Sequence, residues 1–282
     1  MSLTSRRVIA SAALAATASL LLAACSPSVP ADDSSSATEG YVTEGKLTIA
    51  TGEPAYYPYV IDDNPESGEG FEAAIAYAVA EELGFAAEDV VWVRTSFEAA
   101  IQPGPKDFDF NLQQYTITEE RAENVDFSSP YYSTPQAVIT VESSPAAGAT
   151  SLADLADYLV GAATGTTSFT AIEEQIAPTA GAQAFNTNDD AVLALQNGTI
   201  DAIVVDLPTA FFLTGVVLEG GVLLGQLPAD AGISDEWGLV LAKDSPLTAA
   251  VTAAVDALRE SGRLAEIADE WLGADAGAPI LQ

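Results

Sequence analysis

The chain has 282 residues, enough for two lobes of ordinary domain size, and its 49% hydrophobic and 18% charged residues describe a globular rather than a disordered protein. Its 9 basic and 41 acidic residues give a formal charge of −32, which excludes nucleic acid as a partner, because binding phosphates draws on Lys and Arg. It has no histidine and one cysteine, which excludes a Ser-His-Asp triad, a Cys-His pair, a His-ligated metal and an intramolecular disulfide. The acidic excess reads either as a solubility device on an exposed protein or as a field that steers cationic ligands.

Arg6 and Arg7 precede an uncharged run, residues 8–24, slightly short of the ~20 residues that a membrane span needs. The run meets Cys25 in Leu22-Ala23-Ala24-Cys25, which resembles the bacterial lipobox, where a signal peptide is cut before a Cys that is then acylated. Residues 1–24 are therefore expected to be a lipoprotein signal and Cys25 the lipidation site. A cleavable signal with a chance Cys and an uncleaved anchor are the alternatives. Removing the signal leaves 7 basic residues against 41 acidic. Residues 25–44, rich in Ser, Pro, Asp and Thr, read as a flexible tether. No later apolar run has spanning length.

Residues 46–51 form a β-rich run that breaks at Gly52 and Pro54. Phe71, Ala74, Ile75, Ala78, Val79 and Leu83 fall at helical spacing, closed by Gly84 at the C′ position. Residues 90–93 read as a buried strand. Ser96 caps a short helix to Ile101, and residues 109–112 run from strand into loop. Thr116 and Glu119 have capping-box spacing, which predicts a helix from about Ile117. Strands follow at 136–141, 159–163, 200–205 and 238–243. Helices are expected after Ser151, from Phe169, over 189–197, after Pro208, from Ser245-Pro246 to about Ser261, and over 264–272. Alternating strands and helices imply an α/β fold with largely parallel sheets. Ligands in such folds sit beyond the carboxyl ends of strands, which directs attention to residues 52–59, 111–121, 164–168 and 206.

Four features there could grip a ligand. Arg121 lies in the first turn of its helix, against the local dipole, beside free backbone N–H groups. It is either an anion site or an exposed residue paired with Glu120 or Asp126. Asp206 ends an apolar strand and either accepts from an ammonium group or caps the following helix. Gly165-Thr166-Thr167-Ser168 joins strand to helix and either binds an anion or forms a plain turn and cap. Tyr56, Tyr57 and Tyr59 offer an aromatic wall, with at least one expected in the core. One cation, one anion and an aromatic loop complement a zwitterion. Nothing in the residues signals a metal or an organic cofactor.

The string from Phe108-Asp109-Phe110-Asn111 through Thr116-Ile117-Thr118-Glu119-Glu120-Arg121 to Asp126-Phe127-Ser128-Ser129-Pro130-Tyr131-Tyr132 closely resembles the signature of family 3 extracellular solute-binding proteins, the polar amino-acid receptors of ABC importers. Gly70-Phe71-Glu72, Gly165-Thr166-Thr167 and Asp201–Asp206 recur in the family order, and the resemblance spans about residues 45–273. It implies a two-lobed, type II periplasmic-binding-protein-like α/β fold. Each lobe would be a mixed, largely parallel sheet flanked by helices, with a ligand cleft between the lobes. Lobe 1 would comprise residues 45–135 and a return segment, 237–282; lobe 2 would comprise 136–236. The resemblance assigns Arg121 to the ligand α-carboxylate, Thr116 to a neighbouring contact, the Thr167 backbone N–H to the same carboxylate, Asp206 to the α-ammonium and Tyr56 to the side chain. Glu53 falls near a position that is acidic in receptors for basic amino acids. Gln114 stands where a small Ser or Thr is common, and Ala163 and Ser168 leave side-chain room.

The implied protein is a monomeric, membrane-anchored receptor on the extracellular face, with an amino acid or related zwitterion as ligand and an ABC permease as partner. Two rivals are a dehydratase of cyclic amino-acid precursors on the same scaffold, with Glu53, Glu72 or Asp206 as base, and an adhesive or signalling lipoprotein that no longer binds a ligand.

Overall fold

The computed structural model describes residues 40–228, 235–273 and 277–282. Cys25, the signal and all but the end of the tether lie outside them.

The first lobe is built on β1 (Leu47–Thr51), β2 (Val90–Arg94), β3 (Phe110–Asn111), β4 (Val125–Phe127) and, late in the chain, β12 (Val240–Ala242), in the order β2-β1-β3-β12-β4. β1 is buried along its whole length because both faces are covered. Leu47 and Ile49 pack with α1 (Phe71–Glu82), α8 (Thr248–Glu260) and α9 (Arg263–Trp271), whereas Ala50 faces α2 (Phe97–Ile101) with Phe108 and Val240. β2 differs from the buried strand expected: it is the sheet's edge, and Val91 is 40% exposed.

The second lobe is built on β6 (Gln136–Val141), β7 (Val160–Ala163), β8 (Gln183–Phe185), β9 (Ala202–Asp206) and β10 (Gly221–Gln226), in the order β10-β6-β9-β7-β8. Alternate residues of β6 and β9 enter two cores. Ile139, Ile203 and Val205 meet α6 (Asn188–Gln196) and α7 (Leu207–Phe212). Val138, Ala202 and Val204 meet α4 (Leu152–Leu155) and α5 (Thr167–Ala171). Each five-stranded sheet is mixed, with two parallel and two antiparallel pairings.

Between the sheets, β5 (Tyr132–Thr134) and β11 (Asp235–Trp237) pair antiparallel as a separate ribbon. The chain leaves the first sheet through β5, enters β6 after Pro135, and returns through β11 into β12. The ribbon is the structural element expected of a hinge.

Two local expectations shift. The cap of α3 (Glu119–Ala122) is Thr118, whose hydroxyl accepts from Arg121 N at 3.1 Å, rather than Thr116. Thr116 is instead extended and bridges to Trp237, with Ile117 N donating to Glu236 O at 2.8 Å. The chain end also departs from the return segment expected in lobe 1. Residues 277–282 lie on the second sheet: Gln226 N donates to Pro279 O at 2.8 Å, Leu281 N donates to Gln226 O at 2.9 Å, and Leu281 is 2% exposed in that lobe's core. β10 offers an open edge, and Gly225 leaves the room, since a Cβ there would stand 2.5 Å from Pro279 O. Leu281→Ala is expected to lower unfolding free energy by about 2–5 kcal/mol, read from the urea midpoint. An unchanged midpoint would show that the tail contributes no packing.

Candidate functional site

A cavity of about 390 Å³ opens between the lobes, walled by strand ends of both sheets. Glu53, Tyr56, Gln114, Arg121, Thr167 and Asp206 all line it. Thr116 sits directly behind, its Oγ1 3.3 Å from Thr167 Oγ1.

Arg121 is buried, at 8% exposure. One terminal nitrogen donates to Thr116 O at 2.7 Å and the other to Gly165 O, in the opposite lobe, at 2.8 Å. Its guanidinium carbon lies 5.5 Å from the centroid of the Phe97 ring. The surface ion pair considered from the sequence is not formed, because Asp126 takes Lys243 at 3.3 Å and Thr248 at 2.8 Å. Arg94, Arg259 and Arg263 each pair with a carboxylate. Among the described residues, Arg121 is the arginine with no acid within ion-pair distance. Burial pushes its pKa down, while Tyr115, Asp235, Asp206 and Glu120 pull the other way.

Asp206 occupies the N-cap position of α7, but its side chain makes no capping bond. It accepts instead from Gln136 Nε2 at 2.6 Å. Desolvation, reinforced by Asp235, lifts its pKa to about 8, and the Gln136 bond and Arg121 only partly offset this. Glu72, 2% exposed, accepts from the Tyr131 hydroxyl and from the backbone and side-chain nitrogens of Gln114. Gln114 reaches it from a left-handed backbone, φ 54°. Burial raises Glu72 to about 7 despite those three donors. Thr166, not Thr167, caps α5 by accepting from Phe169 N at 3.2 Å, which leaves Thr167 facing the cavity.

The tyrosines divide: Tyr59 is core at 1% exposure, Tyr57 is exposed, and Tyr56 is half-buried on the cavity wall. All three also join the lobes. The Tyr59 hydroxyl is 2.8 Å from Thr209 Oγ1, the Tyr57 ring is 4.5 Å from that of Phe212, and Tyr56 bonds Asp189. Thr164 Oγ1 donates to Glu98 Oε1 at 2.9 Å across the same gap. The lobes are therefore closed on each other. Sequence reasoning missed Glu98, Gln136 and Asp235 at this site. It read Glu72 only as a helix start and a possible base. Ser96, the cap before Glu98, was the signal that could have placed Glu98 at a strand end. Among the described residues, no cluster of Cys, Asp or Glu could hold a metal ion, and no helix is long and apolar enough to cross a membrane.

The sequence profile of the family described as bacterial extracellular solute-binding proteins, family 3, matches residues 47–274. The L-arginine-binding protein of Pseudomonas aeruginosa is 31% identical over 232 residues, 79% of this chain and 86% of its own. The glutamate-binding protein GluB of Corynebacterium efficiens is 28% identical over 96% of this chain and 92% of its own. Among solved structures, an ancestral arginine-binding protein bound to glutamine superposes with a TM-score of 0.68 at 27% identity, covering 82% of this chain and all of that one. AncCDT-1, an ancestral amino acid-binding protein and precursor of cyclohexadienyl dehydratase, has a TM-score of 0.65 at 27% identity, covering 81% and 95%.

The raised carboxyl groups carry a pH signature. Above the unfolded value of about 4 for a carboxyl group, the folded protein binds the Asp206 proton more tightly than the unfolded chain does, so stability falls as pH rises toward about 8. Thermal melts of the ligand-free protein from pH 4 to 8 should show this loss, and Asp206→Asn should remove much of it. Parallel profiles for the two proteins would contradict the assignment.

Proposed function

Because the chain belongs to family 3 of the bacterial extracellular solute-binding proteins, a family of binding proteins rather than enzymes, we propose that it captures a free amino acid, or a closely related zwitterion, by closure of its two lobes. The observation that carries this reading is Arg121, a buried guanidinium without an acid partner, facing the same cavity as the half-buried acid Asp206. The ligand α-carboxylate binds Arg121, with Thr167 and Thr116 alongside, and the α-ammonium binds Asp206. Tyr56 packs on the side chain. Glu53 and Glu98, on the same wall, suit a cationic one, in keeping with arginine-binding relatives.

Arg121 stands in the lobe of residues 45–135 and 237–273, and Asp206 in that of 136–236. A zwitterion thus contacts both lobes only when they close, and this differential contact is what shifts the open–closed equilibrium. Closure then reports loading to an ABC permease. Cys25 carries the lipid that holds this monomeric receptor at the extracellular face of the membrane. The dehydratase alternative has only the likeness to AncCDT-1 behind it.

A thermal-shift panel of basic, polar and acidic amino acids tests the reading. A ligand at 100 times its Kd adds about 2.7 kcal/mol of stability, and no shift with any of them would contradict it. With the best ligand, Arg121→Ala should cost about 2–5 kcal/mol, roughly 30-fold to several thousand-fold in Kd by calorimetry. An affinity within threefold of the natural protein would remove Arg121 from the carboxylate role.

A further inference from the structure

Asp206 does not face the cavity as a lone acid. Gln136 is its register partner across β6 and β9. The same side-chain nitrogen that donates to Asp206 Oδ1 at 2.6 Å also donates to Asp235 Oδ2. Two acids bound to one nitrogen keep those oxygens within about 5 Å of each other, a spacing at which like charges disfavour joint ionisation. The amide is held from behind, since Ser168 Oγ donates to Gln136 Oε1 at 2.5 Å. Thr167 Oγ1 donates to Asp235 Oδ2 at 3.1 Å.

The surroundings do not supply enough positive charge for both acids. Facing Asp206 are Asp235 from β11, Arg121 from α3, Glu72 from α1, and the un-ionised hydroxyls of Tyr59 and Tyr131. That is one guanidinium against three carboxyl groups. The guanidinium already donates to the carbonyls of Thr116 and Gly165.

We propose that Asp206 and Asp235 form one acid pair that holds a single proton in the ligand-free cleft and releases it to solvent when the ligand α-ammonium arrives. Gln136, the shared donor, is its positioning residue. The exchange conserves charge: a pair with one proton carries −1, and a fully ionised pair with an ammonium also carries −1. It costs less than adding a cation to a neutral site or leaving two half-buried carboxylates unopposed. The pair also stands at the crossing between lobes, for Asp235 opens β11 and Gln136 follows β5 by two residues. One acid of the pair, Asp235, therefore sits on the hinge ribbon, and the other, Asp206, on the second sheet.

The inference rests on the proposed placement of the ammonium at Asp206. Its test is calorimetry with L-arginine, L-glutamine and L-glutamate, none of which changes its own ionisation between pH 6 and 8. At pH 7, in phosphate and in imidazole buffer, the difference in apparent enthalpy should report close to one proton released. Affinity should fall up to about tenfold per pH unit toward pH 6. Asp235→Asn should bind at pH 7 with the release nearly abolished and the pH profile flattened. Gln136→Met, which removes the shared donor, should keep the release but move the profile to higher pH. No release in the natural protein, or an unchanged release in Asp235→Asn, would overturn the pair while leaving the receptor reading intact. If no amino acid of the thermal-shift panel binds, the receptor reading itself falls. The pair is then decided by melts of the ligand-free proteins: Asp235→Asn must lose less stability than the natural protein between pH 5 and 8, and equal losses overturn it.

Discussion

A guanidinium buried without a carboxylate partner is expensive to keep, and the arrangement of the cleft follows from how Arg121 is kept. Two backbone carbonyls, one from each lobe, take two of its N–H groups. Carbonyls orient the fork without neutralising it, so the charge remains available to an anion in the cavity. The Gly165 carbonyl reaches Arg121 only if the second lobe sits against the first. The hydrogen bonding of this guanidinium and the closed arrangement are thus one structural fact.

The remaining cross-lobe contacts share this economy. Tyr59 to Thr209 and Thr164 to Glu98 are single hydrogen bonds between neutral or rim groups, each contributing on the order of 1 kcal/mol. Contacts of that size can guide closure without locking it, so under the proposed function a ligand bonded to both lobes would carry the decisive weight. The groups around Asp206 set the complementary condition: three carboxyl groups, Asp206, Asp235 and Glu72, face one guanidinium.

Much of the fold was legible in the residues because the signals were local. The helical spacing of α1 with Gly84 behind it, the Ser96 and Ser151 caps, and the apolar strand before Asp206 each appear in the structure as expected. Strands β4, β5, β8 and β11 escaped notice because three residues hold no periodicity and their partners are remote in sequence, and the six-residue β10, bounded by glycine, was missed as well. The cap of α3 moved from Thr116 to Thr118 because pairing with Trp237 fixes Thr116 as extended, an override by tertiary context. Within the cleft, Arg121 and Asp206 stood out by their strand-end positions. Their bland alternatives fell only to non-local facts: Lys243 takes Asp126, and Gln136 takes the Asp206 side chain away from its cap. Gln136 and Asp235 are 99 residues apart. Only the register of a sheet and a ribbon together brings them to one carboxylate, which no local pattern encodes.

Under the proposed function, a ligand bonded to Arg121 and Asp206 draws the lobes together. Pulsed electron–electron resonance measures this directly, with spin labels on cysteines placed at exposed Glu66 in one lobe and Val216 in the other, and Cys25 replaced by serine. Saturating ligand should move the distance distribution to a single shorter population in the labelled protein, and Arg121→Ala should keep the broader, longer one. An inter-lobe distance unchanged by a ligand that calorimetry shows to be bound would contradict the account.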